Sequence, residues 1–381
     1  MRTFVVVIKR TQIVKYLPFI VLSISVLLKV IAVYLPNILC YIYPLWVYKF
    51  VSQSFSFLFS LLPFSFAELL LLLLPMWCLY RLGKGLYLWL SHKAYAGTYW
   101  RDVWRRSWVF TCCLLSVFIL SAGVNYHRTP LSDYVGLSVQ QIEKEELMQL
   151  CSYLSDLTNK SVQYTNRSRE GRFISSHSFT RSRTLVGDAY DSLSQLYPAC
   201  KGRYPSSKPL IFSRWVSYTH IMGFFFPFTF EANINKDIPD FMIPAVIAHE
   251  QAHLRGFMRE EEAEYAVFLL ARFTDDAELQ YAFYLSSLMR AMNTLYSVDK
   301  ELYGALVENF SDLLMNDLNS YADYWSAFRS PVGTLSQTVN DFYLKANSQS
   351  EGVQSYSRVV ALLIADFKKI QTNKIQEYEN D

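Results

Sequence analysis

Apolar positions are unevenly spread along this chain. Long apolar blocks fill the first 125 residues, and mixed polar and apolar patterns fill the rest. A membrane-spanning helix needs about 20 mostly apolar residues. Three stretches come close to that, at about 16–35, 64–82 and 108–124. Lys29 sits near the far end of the first, where a lysine can snorkel to the headgroups. Glu68 lies one turn into the second, so its carboxylate is expected near an interface. Residues 40–62 are apolar and aromatic but broken by Ser and Lys, which suits an interfacial or re-entrant helix. A cleaved signal peptide fits the start less well. The apolar run is too long, and no small-residue cleavage site follows it.

From Asn125 the pattern is that of a globular domain. Val139 to Leu157 carries a helical stripe of Ile142, Leu147, Leu150 and Leu154. Thr184 to Tyr197 reads as another helix. Leu210 to Tyr218 and Ile221 to Ile234 are rich in β-branched and aromatic residues and read as strands. Beyond Asp240 the chain reads as helical to Ile370, with breaks near Gly256, Ser330 to Gly333 and Ser348 to Gly352. Strands followed by many helices give an α+β class. The expected organisation is a membrane anchor over residues 1–124 and a separate domain over 125–381.

Composition narrows this further. The 381 residues are 52% hydrophobic and 18% charged, which excludes a disordered chain. A net charge of +3, without Lys/Arg clusters among stacking aromatics, argues against a nucleic-acid partner. Six cysteines without a CxxC pair exclude a cysteine-built zinc module. Cys151 and Cys200 are the two in the second half, and either a disulfide or two buried thiols fits them. Charge also orients the spans. Arg2, Lys9, Arg10 and Lys15 precede the first, and Arg81, Lys84, Lys93, Arg101, Arg105 and Arg106 separate the second from the third. Positive flanks stay in the cytoplasm, so the domain after Asn125 is expected outside it.

His249-Glu250-Gln251-Ala252-His253 matches HExxH and lies in a helical run. Two histidines four apart on a helix point the same way and can share one Zn²⁺. Glu250, offset by one residue, is placed as general base for a metal-activated water. A third ligand is needed. Gly256 can end the helix in a left-handed turn. The metzincin pattern would then want a histidine where Arg259 stands. Glu260, Glu261, Glu262 and Glu264 are the alternatives; for Glu261 the expected role is a solvated helix start. Glu260-x-x-Ala263-Glu264 resembles the E-x-x-A-D/N pattern of glutamate-type zincins. That resemblance implies Glu260 as ligand and Glu264 as hydrogen-bond partner of a ligating histidine.

The chain resembles a bacterial family of membrane-anchored, zincin-like proteins, the domain of unknown function 3810. The matching stretches are Pro63 to Ala67, Asn125 to Leu131, Phe226 to Asn235, Ala248 to Ala263 and Glu351 to Val360. Glu264 departs from the Asn or Asp expected there. The resemblance implies metallopeptidase-like architecture in a bacterial cytoplasmic membrane and names no substrate.

Weaker candidates surround the motif. Glu231, Asn233 and Asn235 precede the motif helix, where a zincin strand would border the cleft and pair with extended substrate. Tyr356 and His220 are candidates for an oxyanion donor. The expectation is a multi-pass zinc peptidase acting on a peptide or protein, with one Zn²⁺ per chain. The alternative is a non-catalytic sensor or scaffold that keeps a zinc site. An intramembrane protease is excluded, because the charges at Arg255, Arg259 and the four glutamates are too costly in lipid.

Overall fold

The computed structural model describes residues 10–35, 42–140, 142–346 and 356–380. Helix α1 (Arg10–Tyr34) is followed by a wide helical segment, Tyr43–Tyr48, which runs into α2 (Lys49–Ser60). Then come α3 (Phe66–Ser91) and α4 (Lys93–Phe118), the latter continuing as a wide turn through Gly123. Three helices, Tyr16–Tyr34, Phe66–Ser91 and Lys93–His127, are long and apolar enough to cross a membrane. Their large apolar side chains, such as Ile20, Ile24, Leu27, Leu71, Leu72 and Leu79, face outward. At 1.5 Å per residue, α3 is about 39 Å long, more than the ~30 Å hydrocarbon layer. The charged stretch between the second and third apolar blocks is therefore no loose loop. It is the end of α3 and the start of α4, meeting at His92, and Tyr99 Oη donates to Arg81 O at 2.8 Å.

Helix α2 is built inside out. Ser52 and Ser56 are buried, while Phe50, Phe57 and Leu58 are exposed. Small polar groups facing protein and large apolar groups facing outward suit lipid contact. For residues 40–62 an interfacial or re-entrant helix is expected; within them, residues 42–60 are helical with this inside-out pattern.

The second half contains α5 (Leu131–Val135), α6 (Lys144–Val162), α7 (Phe179–Leu196), β1 (Lys208–Pro209), α8 (Ser213–Ser217), β2 (Gly223–Phe226) and β3 (Glu231–Ile234). It continues with α9 (Ile243–Leu254), α10 (Glu260–Leu270), α11 (Ala277–Val298), α12 (Lys300–Val307), α13 (Asp312–Ala327), α14 (Pro331–Ala346) and α15 (Tyr356–Asn380). The class is α+β, as expected. Two strand expectations change. Leu210 to Tyr218 holds a short helix, because the chain turns at Ile211 and Phe212, whose backbone N–H groups donate to Glu68 at 2.9 and 2.8 Å. Ile221 to Ile234 is a hairpin rather than one strand. The sheet order is β1-β3-β2, parallel then antiparallel. β3 is therefore central, and 231–234 cannot be the free edge expected for it.

Packing runs across residue 124. Tyr43, Tyr48, Ala122, Val124 and Tyr126 form one apolar cluster with Phe230, Ala232, Leu254 and Met258. The larger core lies around α9, α10 and α11, with α6, α7 and α15 outside them. Cys151 and Cys200 are buried free thiols within it, so the disulfide is not formed. Burial pushes their pKa values up, to about 12 and about 11.

Glu231 joins the two halves. Its carboxylate accepts from Phe66 N and Ala67 N at 3.1 and 2.9 Å, which caps the start of α3. Lys208 Nζ pairs with it at 2.7 Å and also donates to Phe59 O and Phe64 O. Lys208→Met should leave Glu231 charged and unpaired, and lower stability by about 3 kcal/mol. Adding Glu231→Gln should recover part of that loss. Thermal unfolding of the full chain in detergent measures both.

Candidate metal centre

Helix α9 begins with Pro244 in its first turn and is buried along almost its whole length. Gly256 then adopts φ +91°, a conformation that suits glycine, and the chain reverses. Glu260, Glu261 and Glu262 open α10, favoured by the helix dipole. This turn brings Glu260 opposite His249 and His253. Among the described residues these three form the group able to hold a metal ion. The two Nε2 atoms lie 3.0 Å apart. The Glu260 carboxylate is 3.2 Å from His249 Nε2 and 3.6 Å from His253 Nε2. Ligands of a tetrahedral ion with bonds near 2.1 Å sit about 3.4 Å apart, so the three groups fit Zn²⁺.

Each imidazole is oriented from behind. His253 Nδ1 donates to Phe257 O at 2.8 Å, which leaves Nε2 as an acceptor. His249 Nδ1 lies 3.4 Å from Glu264 Oε1. Glu264 is in turn held by Arg290 at 2.5 Å. Burial raises the Glu264 pKa, but Arg290 and His249 outweigh it and hold it at about 2. The third group is thus Glu260, and Glu264 is occupied elsewhere.

Glu250 points the other way, toward β2. Gly223 makes room for it: a Cβ there would meet Val246 at 2.7 Å and Glu250 at 3.0 Å. Glu250 is buried and bonds the Phe225 backbone, while its Oε2 has no hydrogen-bond partner among the described residues. Burial pushes its pKa up to about 8; His249 lowers it, and Glu260 and Glu264 add to the rise. A cleft of about 360 Å³ opens here, lined by His249, Glu250, His253, Glu260, residues 219–225 and one face of α14.

The other sequence candidates fall elsewhere. Glu231 caps α3, as above. Asn233 Oδ1 accepts from Ser65 Oγ at 2.6 Å, and Asn235 Nδ2 donates to Ser217 Oγ and Ile221 O. All three are buried and hold the fold, so the strand bordering the cleft is β2. His220 does line the cleft, with Nε2 against Phe328 O at 3.1 Å. Tyr356 begins α15, and its side chain lies outside the described residues. Glu261 and Glu262 are buried rather than solvated. Glu262 accepts from Leu131 N at 2.6 Å and pairs with Arg259.

Sequence reasoning missed Tyr126, Tyr343 and Arg290. Tyr126 Oη donates to Tyr343 Oη at 3.3 Å in the cleft wall. Burial raises the Tyr343 phenol pKa, and Glu260 adds to the rise, so it remains protonated. Tyr126 stood within the Asn125 to Leu131 stretch and could have been singled out there. Tyr343 and Arg290 carry no local signal.

Membrane-type helices joined to an α+β domain with a His-His-Glu cluster define the class. Within it, the chain belongs to the family described as Protein of unknown function (DUF3810), whose model matches residues 43–364. No curated protein and no solved structure matches the chain.

A metal ion held by this cluster would depend on its residues in a set order. Glu260→Ala should weaken Zn²⁺ binding at least tenfold, and Glu264→Ala less, with Glu261→Ala near wild type. Competition with a zinc-binding dye measures it. Glu264→Ala exceeding Glu260→Ala would overturn the assignment of the third ligand.

Proposed function

We propose that this protein is a membrane-anchored zinc peptidase whose catalytic domain lies outside the cytoplasm. One observation carries the reading: a three-group ligand set beside a buried, partly unsatisfied carboxylate in an open cleft. Structural zinc sites close with four protein ligands, whereas catalytic sites keep one position open. Here the fourth nearby group, Glu264, is engaged by Arg290. That favours a peptidase over a sensor or scaffold with a structural zinc.

His249, His253 and Glu260 would hold Zn²⁺, which supplies Lewis acidity and makes water more acidic. Glu250 takes the proton from the attacking water and delivers it to the leaving amine. Among the described residues β2 is an edge strand, and its free side offers pairing to an extended peptide, which would align a scissile carbonyl over the cluster. Tyr343, which accepts from Tyr126 and lies close to Glu260, offers its O–H to the developing oxyanion.

The orientation follows the positive flanks. The end of α1, the start of α3 and the end of α4 all meet the domain, so the basic meeting point of α3 and α4 lies on the opposite side.

Glu250→Gln should retain one Zn²⁺ per chain yet lose peptide hydrolysis by a factor of about 10³ or more, because an amide accepts no proton. Metal analysis and a peptide-library digest on the same preparation decide it. Loss of zinc in that variant would make Glu250 a ligand. In intact cells, external protease should cut the domain after Asn125; protection until the membrane is opened would reverse the topology.

A further inference from the structure

Helix α14 is a wall of the cleft, and a second face of it has no cover among the described residues. Val332, Leu335, Val339 and Phe342 are all exposed, Phe342 by 74%. Their spacing of three, four and three places them on an arc of about 80°. Ser336, Gln337, Asn340 and Tyr343 lie on the neighbouring arc and line the cleft. Thr334, Thr338 and Lys345 form a third, polar face. A stripe this narrow and this apolar marks an interface.

Its position fixes what covers it. The Tyr343 ring packs edge-on against Phe118, with centroids 6.0 Å apart. Phe118 belongs to the apolar part of the third candidate span. The same tyrosine accepts from Tyr126, in the last turn of that span. Helix α14 therefore sits level with the last turns of a span. The 211–215 segment, which precedes the cleft-lining residues 219–225, repeats the arrangement. Ile211, Phe212 and Trp215 are exposed, Trp215 by 73%. Their segment is tied to the start of the second span through Glu68. The two segments adjoin, since Ser330 Oγ donates to Tyr218 O at 2.9 Å and the Tyr218 ring meets Phe328. Apolar surface thus continues from two span ends onto α14, which walls the cleft, and onto the 211–215 segment beside it.

We propose that α14 and the 211–215 segment lie in the interfacial layer of the bilayer, so that the cleft opens at the membrane surface. Its substrates are then polypeptides held at that surface by their own lipid or apolar anchor. The substrate class rests on the peptidase reading; the placement of α14 does not. Lipid is the occupant because continuity with the spans places the stripe at headgroup depth, where apolar helix faces are buried by acyl chains. A second copy of the chain is the rival occupant.

The full chain, reconstituted in phosphatidylethanolamine–phosphatidylglycerol nanodiscs, tests the placement. The photo-crosslinker benzoylphenylalanine is introduced at Leu335 or Val339, with Thr334 and Thr338 as controls. Mass spectrometry should find phospholipid adducts several-fold more abundant at 335 and 339 than at 334 and 338. Chain-to-chain adducts at 335 and 339, or lipid adducts no more abundant there than at the controls, would overturn it. A second arm tests the substrate class, with one peptide library presented either acylated on vesicles or free in solution. Wild type should cut the acylated library at least tenfold faster, and Val339→Lys should lose that advantage while cutting the free library as before. Equal cutting of both libraries by wild type would overturn the substrate class. If wild type cuts neither, the peptidase reading fails, and the lipid adducts alone then judge the helix.

Discussion

The end of helix α9 is capped by Tyr48 of the membrane half and by Arg128, just after the third span. A helix leaves its last carbonyls without partners, and they must find donors elsewhere. Here Tyr48 Oη lies 3.3 Å from His253 O and 3.2 Å from Leu254 O, and Arg128 Nη1 donates to Arg255 O at 3.0 Å. The cationic guanidinium also suits the negative end of the helix dipole. Gly256 follows at once, and a Cβ there would meet Tyr48 at 2.9 Å and Arg128 at 3.1 Å. No other residue could turn the chain here and leave room for both caps. The turn that places Glu260 against the histidines is thus the turn on which the membrane half rests.

This explains why the two halves cannot be separated at residue 124. The second span is capped by Glu231, the third leads into Arg128 and Leu131, and Leu131 N is bound by Glu262 on α10. Buried charged groups sit at each joint. Such groups are costly to leave unpaired, so the joints favour one arrangement over any looser docking. A site built on these helices inherits a fixed depth and tilt relative to the spans.

The sequence was most legible where one helix carried the information. His249, Glu250 and His253 share a helix at a spacing that needs no tertiary knowledge, and the three apolar blocks stand out by length. Gly256 signalled the reversal that brings the glutamates back, and the resemblance to the E-x-x-A-D/N pattern picked Glu260 among them. Glu231, Asn233 and Asn235 were read as cleft residues because they precede the motif. Whether a strand is central or at an edge depends on its partners, and β1 joins β3 from a segment with no strand signal. Arg290 and Tyr343 reach the site from α11 and α14 through tertiary packing, which no local pattern encodes. The inside-out character of α2 was visible only as a mixture of Ser and aromatics, since burial decides which of them faces lipid.

The electrostatics of the cluster bear on why these groups are placed together. Glu250 and Glu264 are buried with the half-buried Glu260 close to them, and carboxylates so placed oppose each other's ionisation. Arg290 answers one of them. For His249, burial works against protonation, yet Glu260 and Glu264 hold its pKa well above the ordinary value. The imidazole thus supplies a second positive charge as a proton. Glu250 is left with its pKa pushed up to about 8. Replacing that proton by a divalent cation would add charge at the same place and lower the cost of ionising Glu250. The buried carboxylate would then be free to accept a proton near neutral pH. The like charges that make the cluster unfavourable by itself are what fit it to a cation and to a base beside it.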